Sequence, residues 1–366
     1  MEIELMQYID VNPIIEHAKS INCPYVGIIG GKFTGKTYGC VDYALRDFYA
    51  ENSGRPFFYA RRYDKTFTTS ICGNLINCHR QDIINLSGGY HNAGEFRGKI
   101  YTLQRNTADK NGEVTRKAQK TIAYCRSLNN VETETGDDKG ELSCVIYDEF
   151  LTRGEELRDE FNKLMILHAN ALRGRTDRYV PLFLLGNTVS RDSAVAERFG
   201  ISLRDCKRGL NVFSNRAGVP RIVLYYTPET STGVEAAELY YDRFEDDHIN
   251  MISHGDWTLG TYKIASVSQL LKSGITFKLF DRGVCVHCTI YVDGYTPVMI
   301  IKKPSDIFDY KVSPIISPEN LTTVPKIIID CVKSGAYFAE TPEIGEDFRD
   351  ICKHITGGTA IVNMIE

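Results

Sequence analysis

The sequence has no long apolar run and no excess of basic residues, and these absences exclude two classes of protein. No hydrophobic stretch approaches the roughly 18 residues that a membrane-spanning helix needs, so no membrane partner is predicted. Lys and Arg number 43 against 47 Asp and Glu, for a formal net charge of -4. Proteins that hold nucleic acid permanently are usually more basic. Any nucleic-acid contact is therefore expected to be local, transient, or confined to one face of an assembly.

A paired cysteine pattern is also missing. The 11 cysteines are scattered over 366 residues, and Cys144 and Cys331 lie in apolar runs, where cysteine acts as a small hydrophobic residue. The acidic N-terminal residues do not resemble a secretory signal. Cys285, His287 and Cys288 have no second pair at zinc-like spacing, which favours an alternating strand over a metal site. These features predict free thiols in a reducing cytosol.

The most informative pattern present is G-x-x-x-x-G-K-[ST], which follows the apolar run 25–29 and opens a helical pattern. Such a loop, between a strand and a helix, surrounds phosphate oxygens with backbone N–H groups. Lys36 is expected to reach the β- and γ-phosphates, and the Thr37 hydroxyl to hold Mg²⁺. The sequence therefore predicts binding of ATP with Mg²⁺. The predicted nucleotide-binding residues are Gly30, Gly31, Lys32, Phe33, Thr34, Gly35, Lys36 and Thr37.

Two adjacent carboxylates end a second apolar run, 143–147. Asp148 is placed to bind Mg²⁺ through water, and Glu149 to orient and polarise the attacking water. Many simpler phosphate-loop proteins lack the second carboxylate. Its presence favours a hydrolase that converts ATP energy into motion over a kinase or a signalling GTPase. The alternative is a strand that ends in solvated acids.

Two further positions are candidates for sensing or stabilising the γ-phosphate. Asn187 follows the buried run 182–186 and would lie beside that phosphate if this strand neighbours the phosphate-loop strand. Asn after Gly is otherwise typical of a turn. Arg173 and Arg175 precede this strand, and an arginine there can neutralise transition-state charge on a neighbouring subunit's γ-phosphate. The alternative for both is a solvated surface position.

Five short apolar runs predict strands of a parallel sheet buried on both faces. They are 24–29, 56–61, 144–148, 181–186 and 221–226. Helical periodicity falls between these runs. It is carried by Val41, Ala44, Leu45 and Phe48, and by Phe161, Leu164, Met165 and His168. The alternation predicts an α/β domain, 1–228, with a central mainly parallel sheet and helices on both faces.

The segment 97–126 departs from this alternation. Two alternating runs, 99–105 and 119–125, flank a polar stretch and predict a β-hairpin excursion. Its basic residues are Arg97, Lys99, Arg105, Lys110, Arg116, Lys117, Lys120 and Arg126. Because phosphate contacts need only local Lys and Arg, the hairpin is a candidate for gripping DNA. The alternative is a solvated hairpin.

The pattern changes after the last of the five apolar runs. A breaker cluster, 227–233, precedes an acidic helical stretch, 234–251, and 229–258 is predicted to be a linker helix region. From 259 to 366 alternating runs dominate, which predicts a smaller, strand-rich α+β domain closed by helical segments. These runs are 275–280, 284–291 and 298–302.

In combination, the motifs resemble those of the DNA encapsidation ATPases of small short-tailed phages with protein-primed genomes. These ATPases are compact relatives of the terminase large subunit. The most discriminating element is the strand that carries Tyr59, Arg61, Arg62 and Tyr63. The matching motifs occur in the order 30–37, 58–63, 145–150, 172–175 and 185–190.

The resemblance implies a P-loop NTPase domain of the ASCE type in a ring of subunits, thought to be five. In the family, such a ring docks on the portal of a procapsid and pumps double-stranded DNA inward with ATP. It also implies a protein of the host cytoplasm that sits transiently on the procapsid vertex and is not part of the mature virion. Some members sit on a packaging RNA, and the sequence leaves that dependence open.

The resemblance also implies roles for individual residues. Lys36 and Thr37 match the nucleotide-binding lysine and hydroxyl, Asp148 and Glu149 the magnesium and catalytic acids, and Arg173 the trans-acting arginine. Lys32 matches a basic residue of the family's phosphate loops and joins Asn187 in the predicted catalytic set. The predicted DNA contacts are Arg61, Arg62, Lys110, Arg116, Lys117 and Lys120.

The second domain resembles a ribonuclease-H-type nuclease that has lost its catalytic acids. An active two-metal site needs several carboxylates around ions about 4 Å apart. Asp281 and Asp293 fall in predicted turns, where Asp is common anyway. Three alternatives stay open: a terminase-type motor with an active nuclease, another DNA motor such as a helicase or conjugation-type pump, and an ATP-gated assembly module without sustained translocation.

Overall fold

The chain divides into two compact units, Met1–Thr258 and Leu259–Glu366. The structure is a computed structural model, and the predicted linker helix region lies outside its described residues. Those residues are 8–50, 53–68, 72–108, 114–132, 140–152, 156–173, 178–191, 193–203, 205–228, 274–281, 284–293, 296–303, 315–316, 326–334 and 336–354. Among them, no helix is both long and apolar enough to cross a membrane.

Nine strands of the first unit form one sheet. They are β1 (Tyr25–Gly30), β2 (Phe57–Arg61), β3 (Ala93–Arg97), β4 (Ile100–Ala108), β5 (Val114–Ser127), β6 (Val145–Asp148), β7 (Leu182–Asn187), β8 (Gly209–Ser214) and β9 (Pro220–Tyr226). Their order is β3-β4-β5-β2-β6-β7-β1-β9-β8. The six central strands, from β5 to β9 in this order, run parallel, whereas β3, β4 and β8 pair antiparallel at the edges. The predicted mainly parallel sheet is confirmed.

Helices cover both faces of this sheet. The described helices are α1 (Asn12–Ser20), α2 (Lys36–Tyr49), α3 (Asn74–Asn77), α4 (Arg80–Leu86), α5 (Glu160–Leu172) and α6 (Ala194–Phe199). Successive side chains of a strand point to opposite faces, so Ile146 enters one apolar cluster with α1 and α2. Val145 and Tyr147 enter a second cluster with α5 and α6. Burial on both faces explains why the central strands read as continuous apolar runs.

The basic hairpin differs from its prediction. β4 and β5 do form a hairpin, but β5 also pairs parallel with β2, with Phe57 opposite Ala123. The hairpin is therefore an extension of the central sheet and not an excursion from it. The reason is the apolar C-terminal half of β5, where Ile122, Ala123 and Cys125 are fully buried. Arg116, Lys117 and Lys120 lie on the half of β5 that projects beyond β2, whereas Arg126 lies opposite Ala60 of β2.

The second unit is a small sheet packed against two helices. Its elements are β10 (Gly274–Asp281), β11 (Val284–Asp293), β12 (Thr296–Lys302), β13 (Ile315–Ile316), α7 (Lys326–Lys333), β14 (Tyr337–Ala339) and α8 (Pro342–His354). β10, β11 and β12 form an antiparallel meander, and β13 and β14 pair parallel with its two outer strands. Ile290 and Ile301 pack in one core with Phe348 of α8. The relation of this unit to a ribonuclease-H-type nuclease stays a prediction.

Candidate active site

The phosphate-loop motif lies between β1 and α2, as its flanking patterns predict. β1 ends at Gly30, where a Cβ would lie 1.8 Å from Thr227 Oγ1, and Gly35 precedes α2 with a φ of +80°. Glycine is required at both positions, because a side chain would clash at the first and be strained at the second. The loop and the first turn of α2 thereby offer the backbone N–H groups and the helix N-terminus that attract phosphate.

The side chain of Lys36 is buried at the start of α2. Its Nζ donates to Gly30 O at 3.1 Å, to Thr34 Oγ1 at 3.2 Å, and to Gly31 O. Burial lowers the pKa of Lys36 to about 8, and the charge of Asp148 opposes this effect. A buried ammonium whose hydrogen-bond partners are neutral oxygens is poorly compensated. The site therefore fits an anionic ligand such as a triphosphate.

A cavity of about 390 Å³ opens beside this loop. It brings together the phosphate loop, the ends of β2, β6 and β7, and an aromatic pair. Its lining residues are Tyr8, Lys32, Phe33, Thr34, Gly35, Lys36, Thr37, Tyr38, Arg61, Asp148, Glu149, Gly186 and Asn187. The motifs that the sequence predicts to form one nucleotide site thus converge on one space.

Asp148 and Glu149 stand at the C-terminal end of β6. The Tyr59 hydroxyl donates to Asp148 Oδ2 at 2.5 Å, and burial followed by the Asp148 charge raises the pKa of Tyr59. Glu149 has a φ of +63°, in the left-handed region that side chains rarely adopt. Its carboxylate is largely exposed and accepts from Arg61 Nη2 at 2.8 Å. Arg61 also lies 3.5 Å from Asp148, so one guanidinium bridges the two acids.

Arg61 and Arg62, two of the predicted DNA contacts, are paired with acids in the described conformation, and their contact with DNA stays a prediction. Arg61 faces the cavity with a side chain that is 13% exposed. Arg62 is buried, and its guanidinium binds both carboxylate oxygens of Glu160 and the carbonyls of Glu149 and Phe150. The sequence of an arginine-rich motif does not indicate which acidic residues will pair with its arginines.

Two oxygen donors in the cavity fit a magnesium ion. Thr37 lies in the first turn of α2 and Asp148 at the end of β6, and both line the same space. Hydroxyl and carboxylate oxygens are the ligands that Mg²⁺ prefers. These two residues would hold the ion if it accompanies a nucleotide.

The two γ-phosphate candidates lie in different places. Asn187 ends β7, which pairs parallel with β1 so that Asn187 stands opposite Gly30. The condition for its sensor role, that its strand neighbours the phosphate-loop strand, is met. Arg173 follows α5 with a φ of +35°, is exposed, and is not among the residues that line this cavity. The predicted action of Arg173 on a neighbouring subunit stays a prediction, and Arg175 lies outside the described residues.

Three aromatic residues near the loop were missed from the sequence. Tyr8 stacks on Tyr38 with ring centroids 5.7 Å apart, and Tyr38 stacks on His79 at 3.9 Å. The Tyr38 hydroxyl donates to Asp82 Oδ2 at 2.8 Å, which fixes this ring beside the cavity. Tyr8 retains 41% exposure. The only available sequence signal was the position of Tyr38 directly after the phosphate-loop motif.

The basic hairpin carries like charges in register. Arg105 of β4 stands directly opposite Lys117 of β5, and both are exposed, as is Lys120. Like charges directly opposite in antiparallel strands repel each other, so this surface favours an anionic partner. Lys110 lies outside the described residues, and the structure describes only the backbone of Arg116.

Three described acids of the second unit have partners within that unit. Asp281 ends β10 and pairs with His354 of α8 at 2.7 Å. Within α8, Arg349 is buried between Glu346 and Asp350, at 2.8 and 3.0 Å. These three carboxylates therefore each have a basic side chain of the same unit as a partner. The loss of nuclease activity stays a prediction.

Solved structures share this architecture. The bacteriophage Phi-29 viral genome packaging motor assembly matches with a TM-score of 0.51 and 15% identity, over 94% of this chain and 99% of that chain. The Phi-28 gp11 DNA packaging motor matches with a TM-score of 0.50 and 12% identity, over 95% and 98%. This chain has the fold of these packaging-motor proteins. The predicted P-loop α/β fold is thereby confirmed. The sequence matches no family model and no curated protein.

Proposed function

We propose that this protein is an ATPase that drives double-stranded DNA into a viral procapsid. The observation that carries the proposal is the convergence of Lys36, Asp148 and Glu149 on one cavity, within a fold shared with packaging-motor proteins. A phosphate loop alone supports nucleotide binding. The second carboxylate at the same cavity supports hydrolysis.

The reaction is in-line attack of water on the γ-phosphate of ATP. Glu149 orients and polarises the water, and Lys36 and Lys32 stabilise charge on the phosphates. Asn187 contacts the γ-phosphate or the attacking water. Thr37 and Asp148 would hold Mg²⁺, which would supply further neutralisation of phosphate charge.

Arg61 restrains the catalytic carboxylate until substrate arrives. Its guanidinium holds Glu149 at 2.8 Å in the described conformation. A γ-phosphate in the cavity competes for that guanidinium, because phosphate and carboxylate suit the same donors. Release of Glu149 then coincides with the presence of substrate.

The complete site is shared between subunits of a ring, which the family resemblance suggests has five members. Arg173 reaches the γ-phosphate of the next subunit and neutralises transition-state charge there.

The basic hairpin contacts the DNA backbone through Arg105, Lys117 and Lys120, without reading sequence. The ring docks on the portal of the procapsid in the host cytoplasm and leaves before the virion matures. A packaging RNA is a further candidate partner.

DNase protection tests this proposal. Full-length protein, ATP, Mg²⁺, portal-bearing procapsids and linear duplex DNA are mixed, and DNA that survives nuclease is measured. We expect full-length duplex to be protected by the native protein and not by Glu149→Gln. Strand separation would indicate a helicase, and portal capture without protected DNA would indicate an ATP-gated assembly module. Either result contradicts the proposal.

A further inference from the structure

Arg62 forms a buried bridge between the catalytic carboxylate loop and α5. Its Nε and Nη2 donate to Glu160 Oε2 and Oε1, each at 2.9 Å, in a bidentate pair. Nη2 also donates to Phe150 O at 2.6 Å, and Nη1 to Glu149 O. One guanidinium therefore fixes both the peptide groups that follow β6 and the first residue of α5.

Glu160, at the other end of this bridge, also accepts further hydrogen bonds. Glu160 Oε1 accepts from the Tyr147 hydroxyl at 2.6 Å, and Oε2 accepts from the Leu157 amide at 2.9 Å. Glu160 is 2% exposed and Arg62 is 8% exposed. A bidentate pair fixes the relative orientation of its two side chains. Because both are buried, separating them would leave an uncompensated charge, which keeps the pair together.

The two ends of α5 carry different parts of the reaction. Its first residue, Glu160, is held by Arg62 against the carbonyl of Glu149, and the residue after its last is Arg173. The 13 residues of the helix form a rod of about 20 Å. Glu149 itself occupies a left-handed backbone conformation, so a rearrangement of its side chain or peptide acts directly on the carbonyl that Arg62 holds.

We propose that the Arg62–Glu160 bridge is a positioning device that couples the state of a subunit's own Glu149 to the placement of its Arg173 in the next subunit's site. The inference rests on the proposed function, because it requires Arg173 to act in trans. Arg62 does not itself line the cavity, and its contact with Glu149 is to the backbone carbonyl and not to the carboxylate, so it is a positioning residue and not a catalytic one. It gives the ring a route by which nucleotide binding in one subunit changes hydrolysis in its neighbour.

Mixed rings test the coupling. Arg173→Ala subunits keep their own Glu149 and need an arginine from a neighbour. Glu149→Gln subunits can donate that arginine with the bridge intact, and the turnover of this mixture sets the reference. Arg62→Lys donors, like the Arg55→Lys control donors, are made in the same Glu149→Gln background so that only the Arg173→Ala sites turn over. The Arg62→Lys donors keep the charge but lose the fork that holds Glu160 and both carbonyls. A displacement of about 1 Å at a reacting centre costs about 10²-fold in rate. We therefore expect Arg62→Lys donors to restore at least tenfold less turnover than Glu149→Gln donors.

The controls separate coupling from general damage. Arg55→Lys alters another bidentate pair, with Asp47, on the segment that precedes β2, and it should restore as much turnover as Glu149→Gln alone. Glu160→Gln breaks the same bridge at constant volume and repeats the test if Arg62→Lys does not fold. ATP affinity, measured separately, should stay within threefold of native in both bridge variants.

Two outcomes overturn the inference in distinguishable ways. Equal rescue by Arg62→Lys and Glu149→Gln donors would show that the bridge does not position Arg173. Failure of Glu149→Gln donors to rescue Arg173→Ala, under conditions where rings form, would remove the trans arginine and the coupling with it. DNA packaging by the native protein would be unaffected by either outcome, so the proposed function is judged separately.

Discussion

At the scale of single residues, Tyr59 supports the predicted magnesium ligand Asp148, a role that the sequence motifs did not predict. The Tyr59 hydroxyl donates a hydrogen bond to Asp148 Oδ2 at 2.5 Å. Partners of a ligating carboxylate typically contribute 10- to 100-fold to metal affinity. Tyr59→Phe should therefore raise the half-saturating Mg²⁺ concentration for ATP hydrolysis by about tenfold or more, with little change in fold.

A matched tyrosine provides the control for this change. The Tyr179 hydroxyl donates to Cys23 O at 2.8 Å, before the start of β1 and away from the cavity. Tyr179→Phe loses one hydrogen bond of similar length without approaching Asp148. An equal shift in Mg²⁺ dependence for both variants would mean that the Tyr59 contact is not specific to the metal site.

Gly30 shows a steric requirement at the same scale. A Cβ there would lie 1.8 Å from Thr227 Oγ1, at a φ of +150°. Gly30→Ala should abolish nucleotide binding or folding, because either Thr227 or the loop must move. Gly98→Ala is the control, since Gly98 also has a positive φ, +56°, but an added Cβ meets nothing within 4 Å. Thermal unfolding and nucleotide titration distinguish the two. A Gly30→Ala protein with native ATP affinity would contradict the account.

At the scale of elements, α5 is anchored by a buried histidine. His168 Nε2 lies 3.0 Å from Val180 O, and burial lowers the pKa of His168 below its ordinary value. The unfolded chain then binds the proton first, so stability is complete above about pH 6.5 and is lost as pH falls below it. We expect the Tm to fall between pH 7 and pH 5.5.

Replacing His168 tests how much it contributes to the loss of stability at acidic pH. His168→Gln removes one titrating group, so it should reduce the slope of unfolding free energy against pH by at most about 1.4 kcal/mol per pH unit. His17→Gln, on the half-exposed face of α1, is the control. Equal slopes for native protein and His168→Gln below pH 6.5 would show that His168 does not contribute.

The hairpin of β4 and β5 makes the second prediction at this scale. Each phosphate contact contributes about 0.9 to the slope of log affinity against log salt for duplex DNA. Replacing Lys117 and Lys120 by Ala should lower the magnitude of that slope by about 2 and leave DNA-independent ATPase turnover unchanged. Lys19 and Lys333 are exposed lysines on other elements and supply the control pair. Unchanged slopes would place the DNA contact elsewhere.

The central elements were predictable from sequence, and the edges were not. Strands buried on both faces leave continuous apolar runs, which is why β1, β2, β6, β7 and β9 were found within a residue or two. β3 and β8 are half-exposed edge strands whose mixed composition resembles a loop. The parallel pairing of β5 with β2 depends on a tertiary contact that no local pattern reports.

The candidate site also has a part that was predictable from sequence and a part that was not. Lys36, Thr37, Asp148 and Glu149 belong to motifs whose spacing reflects local geometry, so their convergence was predictable. The burial of Arg62 against Glu160 joins residues 98 positions apart in the chain. Whether an arginine meets an acid, a phosphate or solvent is decided by such distant partners, so the pairing of Arg62 with Glu160 was not predictable from the motif.

At the scale of the whole molecule, the two units suggest different tasks. The first unit holds the described nucleotide cavity and the basic hairpin. The second unit has its own apolar core and pairs its described strand-end acid Asp281 with His354. Under the proposed function, a chain that joins the described cavity to a second folded unit is suited to a motor in which ATP turnover depends on the DNA and portal that the ring holds.

The most direct measurement of the central claim is steady-state ATP turnover by the full-length protein, with and without linear duplex DNA and portal-bearing procapsids. We expect slow turnover by the protein alone, because the arginine of a neighbouring subunit is missing, and fast turnover when ring, portal and duplex are all present. Glu149→Gln should remain inactive in the complete mixture. Turnover that is equally fast without duplex and procapsids, or absent from the complete mixture, would contradict the account.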